Sequence, residues 1–211
     1  MDYSIQDEVA ILHFDDGKAN AVSHDFIDAM EEGLTRAEKE AKAVIIRGRE
    51  GLLSGGFDLN EFKKGPEETR ALAGRGVELF IRMYSHPQPL LIASTGHAVA
   101  AGAFLLLTAD NRIGAAGDFK ICLPETAIGM TIPTALQPLC SDRLSPRYLT
   151  RAVIQAEAFN PENAAEAGFL DEVVDAEKLD QHTMEIAIKM AALPAKPYKA
   201  NKLYTRKDAL E

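Results

Sequence analysis

Three short segments of this chain carry residue types suited to holding negative charge and moving a proton. Ser54-Gly55-Gly56-Phe57-Asp58-Leu59 follows an apolar run, and its adjacent glycines let the backbone turn sharply and bring main-chain N–H groups close to a ligand. Gly96-His97-Ala98-Val99-Ala100-Ala101-Gly102 follows Thr95 as a strand, a tight turn and a helix start. Free N–H groups at a helix N-terminus suit developing negative charge. Leu123-Pro124-Glu125-Thr126-Ala127-Ile128-Gly129 sets one carboxylate among apolar residues just after a strand, where desolvation raises its pKa toward a general-base range. Taken singly, these are two turns and a glutamate after a proline. Together they supply anion-holding donors and a base. The chain has no G-x-S-x-G, H-E-x-x-H, P-loop or dinucleotide fingerprint. Its histidines are scattered (His13 in a strand, His24 at a helix start, His86 before a proline) without metal-ligand spacing, so structural roles and no metal are expected.

The elements that must position these segments follow from periodicity. Val9, Ile11 and His13 alternate with Ala10, Leu12 and Phe14 as in a strand, and Asp15-Asp16-Gly17 turns the chain. Ser23 caps a helix whose face is Phe26, Ile27, Met30, Leu34 and Ala37. Ala43–Ile46 is a short buried strand, followed by a glycine-rich loop from Gly48 to Gly56. Pro66 opens a helix carried by Val77, Phe80, Ile81 and Tyr84 to His86, where Pro87 and Pro89 stop it. Leu90–Ala93 is a strand, and Ala98–Leu107, apolar all round, predicts a fully buried helix. Arg112–Ala115 and Asp118–Leu123 read as strands. Ser145-Pro146 opens a helix through Val153, and a second runs from Asn160-Pro161 to Gly168. Leu179, Thr183, Ile186, Met190 and Leu193 mark a last long helix ended by Pro194. Strands and helices interleave to about residue 130 and helices dominate afterwards, which argues an α/β fold with a helical C-terminal part.

The composition excludes several function classes. The 211 residues are 46% hydrophobic and 26% charged, ordinary globular proportions that exclude a disordered or low-complexity chain. The net charge of −9 and the absence of a basic run argue against nucleic acid or an anionic membrane as partner. No apolar stretch approaches the roughly 20 residues of a membrane span. The polar, acidic Met1–Glu8 is no signal peptide, and a cytoplasmic location is expected. Cys122 and Cys140 are read as two small buried thiols, with a single bridge as the alternative.

The same segments resemble the crotonase superfamily, the enoyl-CoA hydratase/isomerase group. The matching stretches are Ala43–Gly48, Leu53–Leu59, Gly96–Gly102, Ala109-Asp110, Leu123–Gly129 and Ala165–Val174, in the family's order and spacing over nearly the whole chain. The resemblance implies a spiral of stacked ββα units over 1–195. It also implies a helical trimerisation segment beginning at 196–211, assembly as trimers or dimers of trimers, and an acyl-CoA substrate with no other cofactor. Its oxyanion hole would be the N–H groups of Phe57 and Ala101, each such donor worth about 3 kcal/mol of barrier. Ser54, Gly55 and Gly56 would face the adenine end of the coenzyme, with Lys18 and Ala19 along its chain. Asp58, Leu59, Gly102, Phe104 and Pro124 would complete the substrate contacts.

Two departures from the family pattern bear on the reaction. An alanine, Ala101, stands where relatives often have a second glycine, but its N–H is kept. Hydratases of the family use two glutamates. The first falls on Phe104, which transfers no proton, and the second on Glu125. The acid of dienoyl-CoA isomerases falls on Pro133. One base and one hole suffice to move a double bond, so the pattern favours a Δ3,Δ2-enoyl-CoA isomerase acting through Glu125. The alternatives are hydration or another acyl-CoA reaction, and a non-catalytic acyl-CoA-binding member. The acyl wall is expected from Phe62, Leu72, Val77, Phe80 and Phe104.

Overall fold

The computed structural model describes all 211 residues. A six-stranded sheet is ordered β1 (Asp2–Gln6), β2 (Val9–His13), β3 (Ala43–Arg47), β5 (Leu90–Ser94), β7 (Asn111–Ala115) and β9 (Glu172–Val174). A smaller sheet is ordered β4 (Gly51–Ser54), β6 (Gly96–Val99) and β8 (Ile121–Cys122). Apart from the β1–β2 hairpin, all pairings are parallel. From β3 to β8 each unit therefore places one strand in the large sheet and the next in the small one, then adds helical chain before the next unit. The helices are α1 (His24–Glu40), α2 (Leu59–Phe62), α3 (Pro66–Tyr84), α4 (Ala101–Thr108), α5 (Gln137–Arg143), α6 (Pro161–Ala167), α7 (Leu179–Ala191), α8 (Ala195–Thr205) and α9 (Lys207–Leu210). None is long and apolar enough to cross a membrane.

The central strands are apolar without alternation because both faces of the large sheet are covered. Val44, Ile46, Leu90 and Ile92 face the main core with α1, α3 and α4. Ile45, Leu91, Ala93, Ile113 and Ala115 face Leu179 and Ala187 of α7. The Ser23 hydroxyl accepts from the Phe26 N–H, and Asn160 and Gly168 begin and end α6 as expected.

Several boundaries differ from the sequence reading. Met1–Glu8 contains β1, an exposed edge strand whose polar side chains hide it from any hydrophobic pattern. The Gly48–Gly56 loop contains β4. Ala98 and Val99 belong to β6, so the buried helix starts only at Ala101. The strand expected over Asp118–Leu123 shrinks to two residues, Ile121–Cys122. Beyond Ser145-Pro146 the chain makes a turn and then a π-helix, Thr150–Ile154, rather than a continuous α-helix. The helix over Leu179–Ala191 ends before Pro194, and α8 follows directly after that proline, where helical chain is expected from about residue 196.

The tail at 196–211 folds back on its own chain. Lys202 Nζ donates to Asp110 Oδ2 at 2.5 Å and to the His86 and Gln88 carbonyls, while Arg206 meets Asp110 at 2.9 Å. Asp110 also accepts from the Leu90 N–H at 2.8 Å. Removing one member of such a buried group strands the others, at a cost of about 3–5 kcal/mol. Asp110→Ala is accordingly expected to lower unfolding stability by that amount in a denaturant titration, whereas Lys178→Ala, in an exposed pair with Asp175, changes it by less than about 1 kcal/mol.

Candidate active site

The first wall of the site is the loop leaving β4, and local bonds fix its path. The Ser54 hydroxyl donates to the Asn20 carbonyl at 2.7 Å and accepts from the Gly56 N–H at 3.2 Å. The Gly55 N–H donates to Ala19 O at 2.9 Å. Val22 then bridges this loop: its N–H donates to Gly56 O at 2.8 Å, and its carbonyl accepts from the Asp58 N–H at 3.2 Å. Parallel pairing uses alternate residues, so the Phe57 N–H between those two bonds points the other way. No group in the chain accepts from it. The facing segment, Lys18–Val22, is held by Asp16. Burial pushes that carboxyl up, but N–H bonds from Asn20, Lys18 and Ala21 outweigh it, so the net shift is downward.

The second wall is the β6–α4 junction. Ala101 is the first residue of α4, and its N–H has no acceptor. Close packing at glycines brings the two walls together. A Cβ on Gly56, whose φ is +103°, would lie 3.1 Å from the Ala100 Cβ and 3.6 Å from the Ala101 nitrogen. One on Gly102 would lie 2.3 Å from Ser54 O. Phe57, one residue on from Gly56, and Ala101 thus both carry N–H groups without an internal acceptor where these two walls meet, and a pair of such donors is chemically suited to holding an anion. Between them Ala100 holds φ +53° and ψ −121°, a conformation that favours glycine. Its N–H donates to Cys122 O at 3.0 Å and its carbonyl accepts from Ala103 and Phe104, which keeps it there.

Glu125 opens a 3₁₀ turn just beyond β8, closed by left-handed Gly129. It is 8% exposed, and its Oε2 is buried with no hydrogen-bond partner. Burial raises its pKa, opposed only by a bond from its own backbone N–H. Neither the Phe57 nor the Ala101 N–H donates to it, so neither stabilises its charge. Cys122 and Cys140 are free buried thiols held above their ordinary pKa by burial and by the Glu125 charge, Cys140 at about 12.

The remaining expected contacts divide. Gly55 is exposed at the loop surface, while Ser54 and Gly56 are buried, the Ser54 hydroxyl being used within the fold. Lys18 and Ala19 line a cleft of about 410 Å³ that includes Asp58 but neither Glu125 nor Phe104. Asp58 caps α2 by accepting from the Asn60 N–H, and Leu59 is 64% exposed. Gly102 and Phe104 are buried behind Ala101, Phe104 stacked against Phe80 at 6.1 Å, and Pro124 is half-buried beside the base. Of the wall residues, Leu72 and Phe80 are buried, and Phe62 and Val77 are half-buried. Sequence reasoning missed Asn20, whose side-chain amide ties Phe14 O to Leu53 O at 3.2 Å each, and the strain at Ala100. It also missed Gly76, which seats the Phe57 ring and whose place inside a helix hints at such a close approach.

Residues 4–209 match the family model described as enoyl-CoA hydratase/isomerase. The chain belongs to that family. An enoyl-CoA hydratase/isomerase family protein from Pseudomonas syringae superimposes with a TM-score of 0.96 at 45% identity, covering 99% of this chain and 90% of that one. The fold is thus the crotonase fold. A probable enoyl-CoA hydratase of Bacillus subtilis is 33% identical over 148 residues, 68% of this chain and 55% of the relative. Human mitochondrial enoyl-CoA delta isomerase 1 is 28% identical over 204 residues, 94% of this chain and 68% of the relative. The chain thus spans little more than half of the Bacillus protein and about two thirds of the human one.

Two outcomes follow for the family site. Ala100→Gly relieves the left-handed strain and is expected to raise unfolding stability by about 1 kcal/mol in a thermal melt. Because Glu125 is protonated more readily folded than unfolded, the unfolded chain binds fewer protons between the ordinary value of 4.5 and the raised folded value, so stability falls as pH rises through that window. Glu125→Gln is therefore expected to be more stable than wild type above the window, with the difference closing below it in melts run across pH.

Proposed function

We propose that the protein moves the double bond of a 3-enoyl-CoA into conjugation, giving the 2-enoyl-CoA, with Glu125 as its single base. The observation that carries this reading is a desolvated carboxylate whose Oε2 has no hydrogen-bond partner, with buried Phe104 where a second acid would stand. The thioester oxygen would accept from the N–H groups of Phe57 and Ala101. The Glu125 carboxylate takes a proton from C2. The C–H electron pair then spreads over C2, C1 and the oxygen, and the existing C3–C4 π-bond makes the product a dienolate. The two donors hold this charge at the oxygen, where it is greatest.

The carboxyl that took the proton then returns it to C4. The electrons move back from oxygen, leaving a C2–C3 double bond conjugated with the thioester and a regenerated carboxylate. No water is consumed and no oxidant is required. Hydration would need a group to orient the attacking water opposite Glu125. Phe104, which offers only an apolar ring, does not support that course. A desolvated base also suits abstraction from carbon, because no tight hydration shell must first be stripped from it.

The test is a paired absorbance assay. With a 3-enoyl-CoA, formation of the conjugated thioester is expected to be rapid, and Glu125→Gln is expected to reduce it on the order of 10³-fold. With the 2-enoyl-CoA, loss of conjugation by hydration is expected to be negligible. The acid limb of kcat/KM should lie above the ordinary glutamate value of 4.5, because the base must be ionised and its pKa is raised. Dominant hydration would overturn the isomerase reading. Silence on both substrates would point to a different acyl-CoA reaction or to a binding role.

A further inference from the structure

One residue of the proposed anion hole, Phe57, also belongs to an aromatic wall. Phe57 contributes its N–H to the hole and its ring to a chain of phenylalanines: 5.7 Å between centroids to Phe62, 6.4 Å to Phe80, and 6.1 Å from Phe80 to Phe104. Phe104 lies one turn along α4 from Ala101, hence on the same side of the helix. The Phe57 ring rests on the α3 backbone so closely that a Cβ on Gly76 would lie 2.5 Å from its Cε1 and Cζ. Not even a methyl group fits between them. Phe80 and Phe104 are 0% and 2% exposed, so the space behind the ring is filled as well.

We propose that the aromatic wall of Phe57, Phe62, Phe80 and Phe104 restricts the site to short-chain 3-enoyl thioesters, a specificity that rests on the isomerase reading above. An acyl tail anchored by its thioester oxygen at Phe57 and Ala101 meets packed rings on the α3–α4 side within a few carbons. A longer tail enters only by displacing rings, and overpacking a filled apolar space is costly. Another apolar course runs over the exposed side chains of Ile128 and Met130, close to Glu125 in the chain. There a tail keeps much of its surface in water and gains little from each added methylene.

The test compares 3-hexenoyl-CoA with 3-dodecenoyl-CoA in kcat/KM, and calorimetric binding of saturated hexanoyl-CoA with dodecanoyl-CoA. The wild-type protein is expected to favour the shorter member of each pair by about tenfold or more. Phe104→Ala is expected to shift both ratios toward the longer chain by about tenfold. Phe62→Ala, at a half-buried position that folding tolerates more easily, is expected to shift them in the same sense. Equal or better use of the long chain by wild type would overturn the proposal, as would ratios unmoved in folded variants. Chain-graded binding without isomerisation would overturn the isomerase reading and leave the wall standing. Failure to bind any acyl-CoA would overturn both.

Discussion

The site depends on how closely two backbones approach one another. β4 and β6 pair in parallel, and the chain beyond β4 then crosses the start of α4 with no side chain between them. A Cβ on Gly96 would fall 2.0 Å from the Gly51 carbonyl carbon, and one on Gly102 2.3 Å from Ser54 O. No rearrangement of flexible side chains relieves such contacts, because the obstructing atoms are backbone. Two N–H groups with no internal acceptor, those of Phe57 and Ala101, flank that approach. Unsatisfied donors of this kind are ordinarily avoided, each costing about 1–3 kcal/mol when buried. Here they come from rigid, well-bonded elements and so cannot turn away to find other acceptors.

A buried carboxyl whose Oε2 has no hydrogen-bond partner, that of Glu125, lies just beyond β8, and neither of these donors is bonded to it. Were Glu125 to reach either N–H, the bond would stabilise its charge and lower its pKa, and both base and hole would be lost. Its pKa is raised instead, by burial, with only its own backbone bond opposing. The separation is set by covalent geometry: Pro124 and the 3₁₀ turn from Glu125 to Ile128 hold the carboxyl on the β8 side, while Ala100 in its strained conformation directs the first N–H of α4. Stability is thus given up at three points, the free donors, the free acceptor and the strained alanine, and the surrounding core offsets it.

The parts of this arrangement that sequence could reveal were those that repeat a local rule. The alternation of the strands, the Ser23 and Asn160 caps, the Gly168 terminus and the glycine pairs all follow from residue type and its neighbours. The turn at Ser54–Phe57, the helix start at Ala101 and the burial of Glu125 were legible for the same reason. What stayed hidden depended on partners far along the chain. β1 shows no apolar pattern because it is an exposed edge strand whose place comes from pairing with β2. β4 is half glycine-rich loop by composition and becomes a strand because β6 lies beside it. Ala98 and Val99 read as helix because the apolar run has no break, yet the left-handed turn at Ala100 splits it. Asn20, a polar residue in a loop, gave no sign that it would be buried and tie two carbonyls together.

The far end of α4 shows why the C-terminal segment matters to the site. At its N-terminus the helix is fixed by contact with Ser54 and Gly56. At its C-terminus the Ala109 carbonyl accepts from Arg143 at 2.8 Å and from Arg206 at 3.4 Å, and Asp110 is bonded to Leu90, Lys202 and Arg206. Cations at this end complement the negative pole of the helix, as the anion expected at the other end complements the positive pole. Two of those cations come from α8 and its C-terminal boundary. The last turns of the chain therefore help to fix the axial position of α4, and with it where the Ala101 N–H lies relative to that of Phe57. The proposed hole, two amides from separate loops, is only as well placed as the elements carrying them, and one of those elements is clamped at both ends.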